Sequence, residues 1–421
     1  MRSIIRRLRH AATFKDLGPG LITGAADDDP SGIATYSQAG AQFGVNMLWT
    51  VVLTFPLMTA IQLISAEIGR VTGRGLAANM ARVFPRRLVT LLVGLLFFAN
   101  TINIGADLAA MGAAARLVLG WDQHLLTIAF AVLSLALQVF VPYHRYVRYL
   151  KWLTLSLFAY VAVVLIVRID WAEIGLRTVL PQMSFNRNTL TVIVAIFGTT
   201  ISPYLFFWQS AEEVEEEELN HAGALLDHPG DAPREFRRIR RDTVIGMFFS
   251  NAIAYFIILT TAVTLHQQGV TDIQTSSEAA EALRPLAGEL TFILFSVGII
   301  GTGLLAVPVL AGSVAYAIGE SRGWKCGLEN MPWEAAGFYT VLSLATLLGL
   351  AVDYSPLDPI KALFWSAVIN GVISVPIMAA MMIVASRRHE MGNFIASPGQ
   401  RILGWLTVAV MAAAAAAMLV L

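Results

Sequence analysis

Ala26-Asp27-Asp28-Asp29-Pro30-Ser31-Gly32 sets three adjacent carboxylates inside an apolar stretch that runs from Leu17 to Leu53. In a soluble protein this would be a polar loop with a sharp turn. Here the flanks have the character of a membrane span, where a charged side chain is expensive and marks function. A bound cation is the simplest compensation. Asp29 is therefore the first candidate ligand, against the plainer role of a helix cap. Asp28 is a second candidate, and Asp27 is expected to face an inner vestibule.

The rest of the chain agrees with a membrane setting. Of 421 residues, 56% are hydrophobic and 14% charged, against about 25% charged in soluble domains. Apolar segments fall near 17–43, 46–68, 87–119, 124–141, 147–168, 189–211, 243–266, 285–318, 333–351, 358–385 and 402–421. Each is close to the ~20 residues a bilayer core requires. With the N-terminus inside, all but six of the 29 Lys and Arg residues fall on the inner side; the exceptions are Arg116, Arg168, Arg177, Arg187, Arg284 and Lys361. That bias predicts eleven spans, a cytoplasmic N-terminus and an extracytoplasmic C-terminus in a plasma (inner) membrane. Residues 1–10 read as a basic arm rather than a signal peptide. The single Cys326 excludes a disulfide framework and a multi-cysteine metal site. No Ser-His-Asp, Cys-His or His-Glu-x-x-His arrangement is present, so an enzyme is not expected. A zero net charge gives no reason to expect nucleic acid.

A second interruption mirrors the first. Gly198-Thr199-Thr200-Ile201-Ser202-Pro203-Tyr204 breaks the sixth segment. Proline removes a backbone donor and clashes with the preceding turn. Paired interruptions in corresponding segments point to a transporter site at the membrane midplane. The expected fold is all-α and polytopic. It has an arm at 1–16, repeats at 17–168 and 189–385 with helices one and six discontinuous, and an added helix at 402–421.

Gly18-Pro19-Gly20-Leu21, Asp29-Pro30-Ser31-Gly32 and Gln38-Ala39-Gly40-Ala41-Gln42-Phe43-Gly44 together resemble the first helix of Nramp metal-ion transporters. Ser65-Ala66-Glu67-Ile68-Gly69 with Val71-Thr72-Gly73 resembles the end of their second helix, and Asp107-Leu108-Ala109 their third. The resemblance covers the first ten segments and implies a leucine-transporter-like inverted repeat and a divalent-cation substrate. The departures narrow it. The family's methionine before the helix-six proline is Ser202, and the histidine after it is Tyr204. The asparagine of its Asp-Pro-Gly-Asn motif is Gly32, its third-helix acid is Ala110, and its downstream histidine is Gln209.

A thioether favours transition metals, whereas carboxylate, carbonyl and water suit hard cations. Mg²⁺ dehydrates reluctantly and keeps several waters. A site of Asp29, Asp28, Ser31, Gly32, Thr199, Thr200 and Ser202 therefore fits a largely hydrated Mg²⁺, as in the Nramp-related magnesium transporter branch. Loss of the imidazoles argues against a coupled proton. Alternatives are a proton-coupled Mn²⁺ or broad divalent carrier, an organic-solute carrier and a non-transporting cation sensor. The hydroxyl at Ser202 has a plainer role, back-bonding to carbonyls at a kink. Asp107, Tyr204, Gln209 and Asn370 are candidates for the ion path, against ordinary interhelical hydrogen bonding. The run Glu212, Glu213, Glu215 and Glu216 reads as a solvated face or a cation-gathering inner mouth. No cofactor is expected beyond the transported ion. The expected partners are that cation and the lipid bilayer, and a monomer is compatible with this.

Overall fold

The computed structural model describes residues 18–141, 150, 152–184, 186–328, 330–354 and 358–420. The arm at 1–16, and Arg145, Arg148 and Lys151 before the fifth segment, lie outside them.

Helices succeed one another as α1 Pro19–Asp27, α2 Pro30–Phe43, α3 Leu48–Thr72, α4 Leu76–Val83, α5 Arg86–Leu119 and α6 Gln123–Phe140. Then come α7 Phe158–Ile166, α8 Trp171–Val179, α9 Arg187–Thr200, α10 Pro203–Leu219 and α11 Ala232–Val263. The last are α12 Thr291–Arg322, α13 Ala336–Gly349, α14 Pro359–Ala385 and α15 Pro398–Val420. Among the described residues nine helical stretches are long and apolar enough to cross a membrane, ten with the bent pair Leu153–Ile166 and Trp171–Val179. The first of these, Pro30–Thr72, runs over two expected segments. They are joined at Gly44, whose φ of 58° and ψ of −141° belong to glycine. Every expected segment therefore has its helix.

Both interruptions form as the prolines dictate. Pro30 and Pro203 each take the first turn of a new helix, where a missing N–H costs nothing. Each forces the residue before it out of the helical region. Asp29 sits at φ −74°, ψ 170° and Ser202 at φ −74°, ψ 133°.

The half-helices are central. The most apolar 18 residues of the α9–α10 span are 94% buried, whereas those of α6 and α15 are 28% buried and form the rim. Tyr204, Phe206, Phe207 and Trp208 are all sealed inside. Small residues let backbones meet, as they do between membrane helices. A Cβ on Gly24 would lie 2.5 Å from the Gly246 carbonyl, so α1 rests on α11 with bare backbone between them. A Cβ on Gly198 would lie 2.0 Å from the Ala367 carbonyl, so α9 meets α14 in the same way.

Candidate functional site

Asp29 is the N-cap of α2. Its Oδ1 accepts from the Gly32 N–H and from the Ser31 hydroxyl, both at 2.7 Å. Its Oδ2 accepts from the Asn103 amide at 3.0 Å. Asn103 Oδ1 in turn accepts from Ser366 of α14 at 2.6 Å. One turn along α5, Asp107 lies 3.5 Å from the same Asn103 amide and leaves its Oδ1 without a hydrogen-bond partner. These groups are all buried, Asp29 at 1% exposed.

The two interruptions cross. Tyr36 of α2 and Thr200 of α9 meet hydroxyl to hydroxyl at 3.0 Å. Tyr204 of α10 donates to the Ala26 carbonyl of α1 at 3.2 Å. Gly32 sits so close to Thr199 that a Cβ there would be 3.2 Å from Thr199 Oγ1, which has no hydrogen-bond partner. Ser31, Gly32 and Thr199 are thus brought beside Asp29, and Thr200 is brought onto Tyr36, two turns along α2. The Ser202 hydroxyl donates to the Gly198 and Thr199 carbonyls at 2.7 and 2.8 Å, the back-bonded arrangement of a kink. Asn370 lies one turn past Ser366 on α14, with both ends of its buried amide lacking a partner.

Asp27 and Asp28 face elsewhere. Both meet one hydroxyl, that of Ser250 on α11, at 2.5 and 3.2 Å. Ser250 carries one O–H proton and can satisfy one of them at a time. A Ser-Asn pair within the otherwise apolar core of α11 was its sequence signal. Among the described residues, no three His, Cys, Asp or Glu side chains converge to hold a metal. A cation at the interruption would therefore have Asp29 as its charged ligand, with Asp107 the next carboxylate, across Asn103. None of the groups hydrogen-bonded to Asp29 carries sulfur or imidazole. Cys326 lies apart, and burial, with Glu320 and Glu215 nearby, pushes its thiol up to about 12.

Beyond Ala26 the half-helix α1 is tied down. Thr23 donates to Gln209 at 2.5 Å, and Gln209 reaches Glu213 at 3.4 Å. Arg238 holds Glu213 at 2.5 Å and Glu216 at 3.0 Å. Glu215 accepts from the Tyr316 hydroxyl and from the Leu328 N–H at 3.1 Å. Glu212 is half-buried on the same helix. Asp242 accepts from the Gly20 N–H at 2.7 Å, at the start of α1. Arg70 joins Glu217 at 3.1 Å and Glu235 at 3.3 Å. Within the acidic run, Glu213, Glu215 and Glu216 thus each answer to the partners named. Asp27, Asp28, Asp29, Asp107 and Ser202 are all buried, none more than 7% exposed.

Comparison with known proteins follows the same lines. A family model described as natural resistance-associated macrophage protein-like matches residues 20–421. A protein named divalent metal cation transporter MntH, from Klebsiella pneumoniae, is 26% identical over 94% of this chain and 91% of its own. One of the same name from Caldanaerobacter subterraneus is 25% identical over 93% and 90%. Among solved structures, the Eremococcus coleocola manganese transporter superposes with a TM-score of 0.74 at 17% identity, covering 94% of this chain and 84% of that one. Mhp1, a nucleobase-cation-symport-1 family transporter, gives 0.55 at 12% over 96% and 92%. These likenesses carry the fold, which is of the leucine-transporter type with discontinuous first and sixth helices. The family match runs from α1 to the end of the last helix, and the chain is an integral membrane protein of the Nramp family.

Proposed function

We propose that the protein carries divalent cations across the plasma (inner) membrane by alternating access, and that its substrate is Mg²⁺ with most of its waters retained. The observation that carries this is the chemistry around Asp29: a carboxylate held by a hydroxyl, a backbone N–H and a carboxamide, with a second carboxylate, Asp107, on the far side of that carboxamide. Such oxygens suit a hard cation. The unpartnered buried atoms Thr199 Oγ1, Asp107 Oδ1 and Asn370 Oδ1 are acceptors that the O–H groups of a hydrated ion would satisfy. Its relatives named divalent metal cation transporters support the substrate class. The basic residues support a cytoplasmic N-terminus and an extracytoplasmic C-terminus. The corresponding positions of the two interruptions support repeats at 17–168 and 189–385, with 402–421 added. We assign no enzymatic activity and no resident cofactor, and read Asp28, Asp27, Asp107, Tyr204 and Gln209 as lining the ion's route.

With no imidazole hydrogen-bonded to Asp29, the transport is taken as uncoupled from protons. A second reading, Mn²⁺ as substrate, draws on Met111. This residue lies one turn beyond Asp107 on α5. A Cβ placed on Gly303 would be 2.5 Å from its sulfur and 3.4 Å from the Pro30 ring. Flux of Mg²⁺ and of Mn²⁺ into vesicles reconstituted with the protein separates the two. Mg²⁺ entry without internal acidification is expected. Mn²⁺ entry that Mg²⁺ fails to compete with would overturn the Mg²⁺ assignment.

A further inference from the structure

Away from the interruptions the structure holds a cavity of about 190 Å³, lined by Ala34, Gln38, Gln42, Asp272, Lys361 and Trp365 among others. Its position follows from helix geometry. Pro30, Ala34, Gln38 and Gln42 recur every fourth residue and form one stripe along α2. The bottom of that stripe is the Asp29 cap. Its top is the end that the orientation above places outside. The cavity opens on this stripe, one turn above Pro30.

The walls have distinct chemistry. Gln38 is fixed to the segment after α11: the Ile273 N–H donates to its Oε1 at 2.9 Å, and its Nε2 donates to the Thr271 carbonyl at 3.3 Å. Asp272 brings the negative charge to the lining and Lys361 the positive. Asp358, one turn earlier at the N-cap of α14, feels the charge of Lys361 and that of Glu278, so Lys361 is the positive group at a mouth that also holds these two carboxylates. Trp365 and Phe364 close the wall with apolar surface. Walls of low dielectric focus the field of the charges they hold. The space admits a cation that keeps its waters, whose O–H groups are donors for carboxamide and carboxylate oxygens.

We propose that this cavity is the extracytoplasmic encounter site for a hydrated divalent cation, where Asp272 attracts and Lys361 repels the ion before it reaches Asp29. The inference rests on the divalent-transport reading above. It makes Lys361 a brake on entry: the ammonium lowers the local concentration of doubly charged ions at the mouth. The plainer role for such a lysine is to extend its stem along apolar surface and carry its charge to the interface.

The test is initial-rate uptake of Mg²⁺, and in parallel of Mn²⁺, into vesicles holding the full chain in known orientation. Lys361→Gln is expected to lower KM about three- to tenfold at ~0.01 M ionic strength with kcat unchanged. The effect should shrink to within about twofold at ~1 M, where the screening length has fallen from ~30 Å to ~3 Å. Asp272→Asn should raise KM under the same conditions, and Lys361→Arg should leave it at the wild-type value. A KM for Lys361→Gln equal to wild type at low salt overturns the proposal. So does a KM change that ignores ionic strength, which is what a displaced helix would give. Either result with wild-type flux intact fails this inference alone. Wild-type vesicles that pass neither ion overturn the transport reading and this inference together.

Discussion

At the first helix interruption the backbone runs through φ −84°, ψ 55° at Asp28 and φ −74°, ψ 170° at Asp29; at the second it runs through −117°, 57° at Ile201 and −74°, 133° at Ser202. The two have nearly one geometry, set by a proline in each. The side chains act in opposite directions. Asp29 is an acceptor and satisfies the N–H groups that start the next half-helix. Ser202 is a donor and satisfies the carbonyls that end the previous one. No side chain caps the start of α10. One interruption therefore brings a negative charge and the other brings neutral polarity. The lesson is that a helix break and an ion ligand are separable: proline makes the first, and the residue before it decides the second.

Substitutions can break that comparison. The largest effect is expected for Asp29→Ala, which removes charge and cap together. Flux should fall at least about a hundredfold, and stability by about 1 kcal/mol from the lost cap. Asp29→Asn separates the two contributions, since asparagine caps as well as aspartate. The cap should survive, the new Nδ2 facing the Asn103 donor should lower thermal stability of the solubilised protein by about 1 kcal/mol, and flux should still be lost. Flux that survives in Asp29→Asn would show that the carboxylate acts only as a cap. Next comes Gly198→Ala. Its Cβ would meet the Ala367 carbonyl at 2.0 Å, so the seating of α9 on α14 should weaken by roughly 1–3 kcal/mol. Heating followed by size-exclusion chromatography reads this directly.

Ser202→Met tests whether the second interruption takes a charge-free soft ligand as readily as a hydroxyl. The Mn²⁺-to-Mg²⁺ flux ratio should rise about tenfold, equivalent to ~1.4 kcal/mol. An unchanged ratio would mean that position 202 does not face the ion. The smallest effect is expected for Ser202→Ala. Its hydroxyl already serves two carbonyls, so stability should drop by about 1 kcal/mol with flux within about twofold of wild type. If flux instead collapses as in Asp29→Asn, the two interruptions are equal partners and the contrast drawn here fails.

Much of this was readable from the chain. Both interruptions follow from local rules about proline and the residue before it, so Asp29 and Ser202 stand where the motif puts them. The span pattern was equally local. What the sequence hides is pairing across distance. Nothing near Asp27 says that it shares Ser250 with Asp28, 223 positions away for the first of these contacts. Asn103 and Ser366 join only because α5 and α14 pack side by side. Arg238 and Arg70, whose sequence role was topological, also hold glutamates at 2.5 and 3.1 Å. Charge patterning gives the side of the membrane and leaves the partner open, because ion pairs form between elements whose register only packing fixes.

The lone pairs of Asp29 are largely committed before any ion arrives. An ionised carboxylate offers about four acceptor directions. The Ser31 hydroxyl, the Gly32 N–H and the Asn103 amide use three, and the Ser31 N–H also turns to the carboxylate. Oδ1 already takes two donors, so the room for a further partner lies at Oδ2. A cation arriving in this arrangement meets a carboxylate able to grip it through a single oxygen, since two-oxygen chelation would require the helix start to give up its cap. With one Asp29 oxygen on one edge, most of the remaining positions of an octahedral ion fall to neutral groups and water, with Asp107 the next carboxylate in reach. The grip is then loose by construction, a property that suits cargo meant to be released.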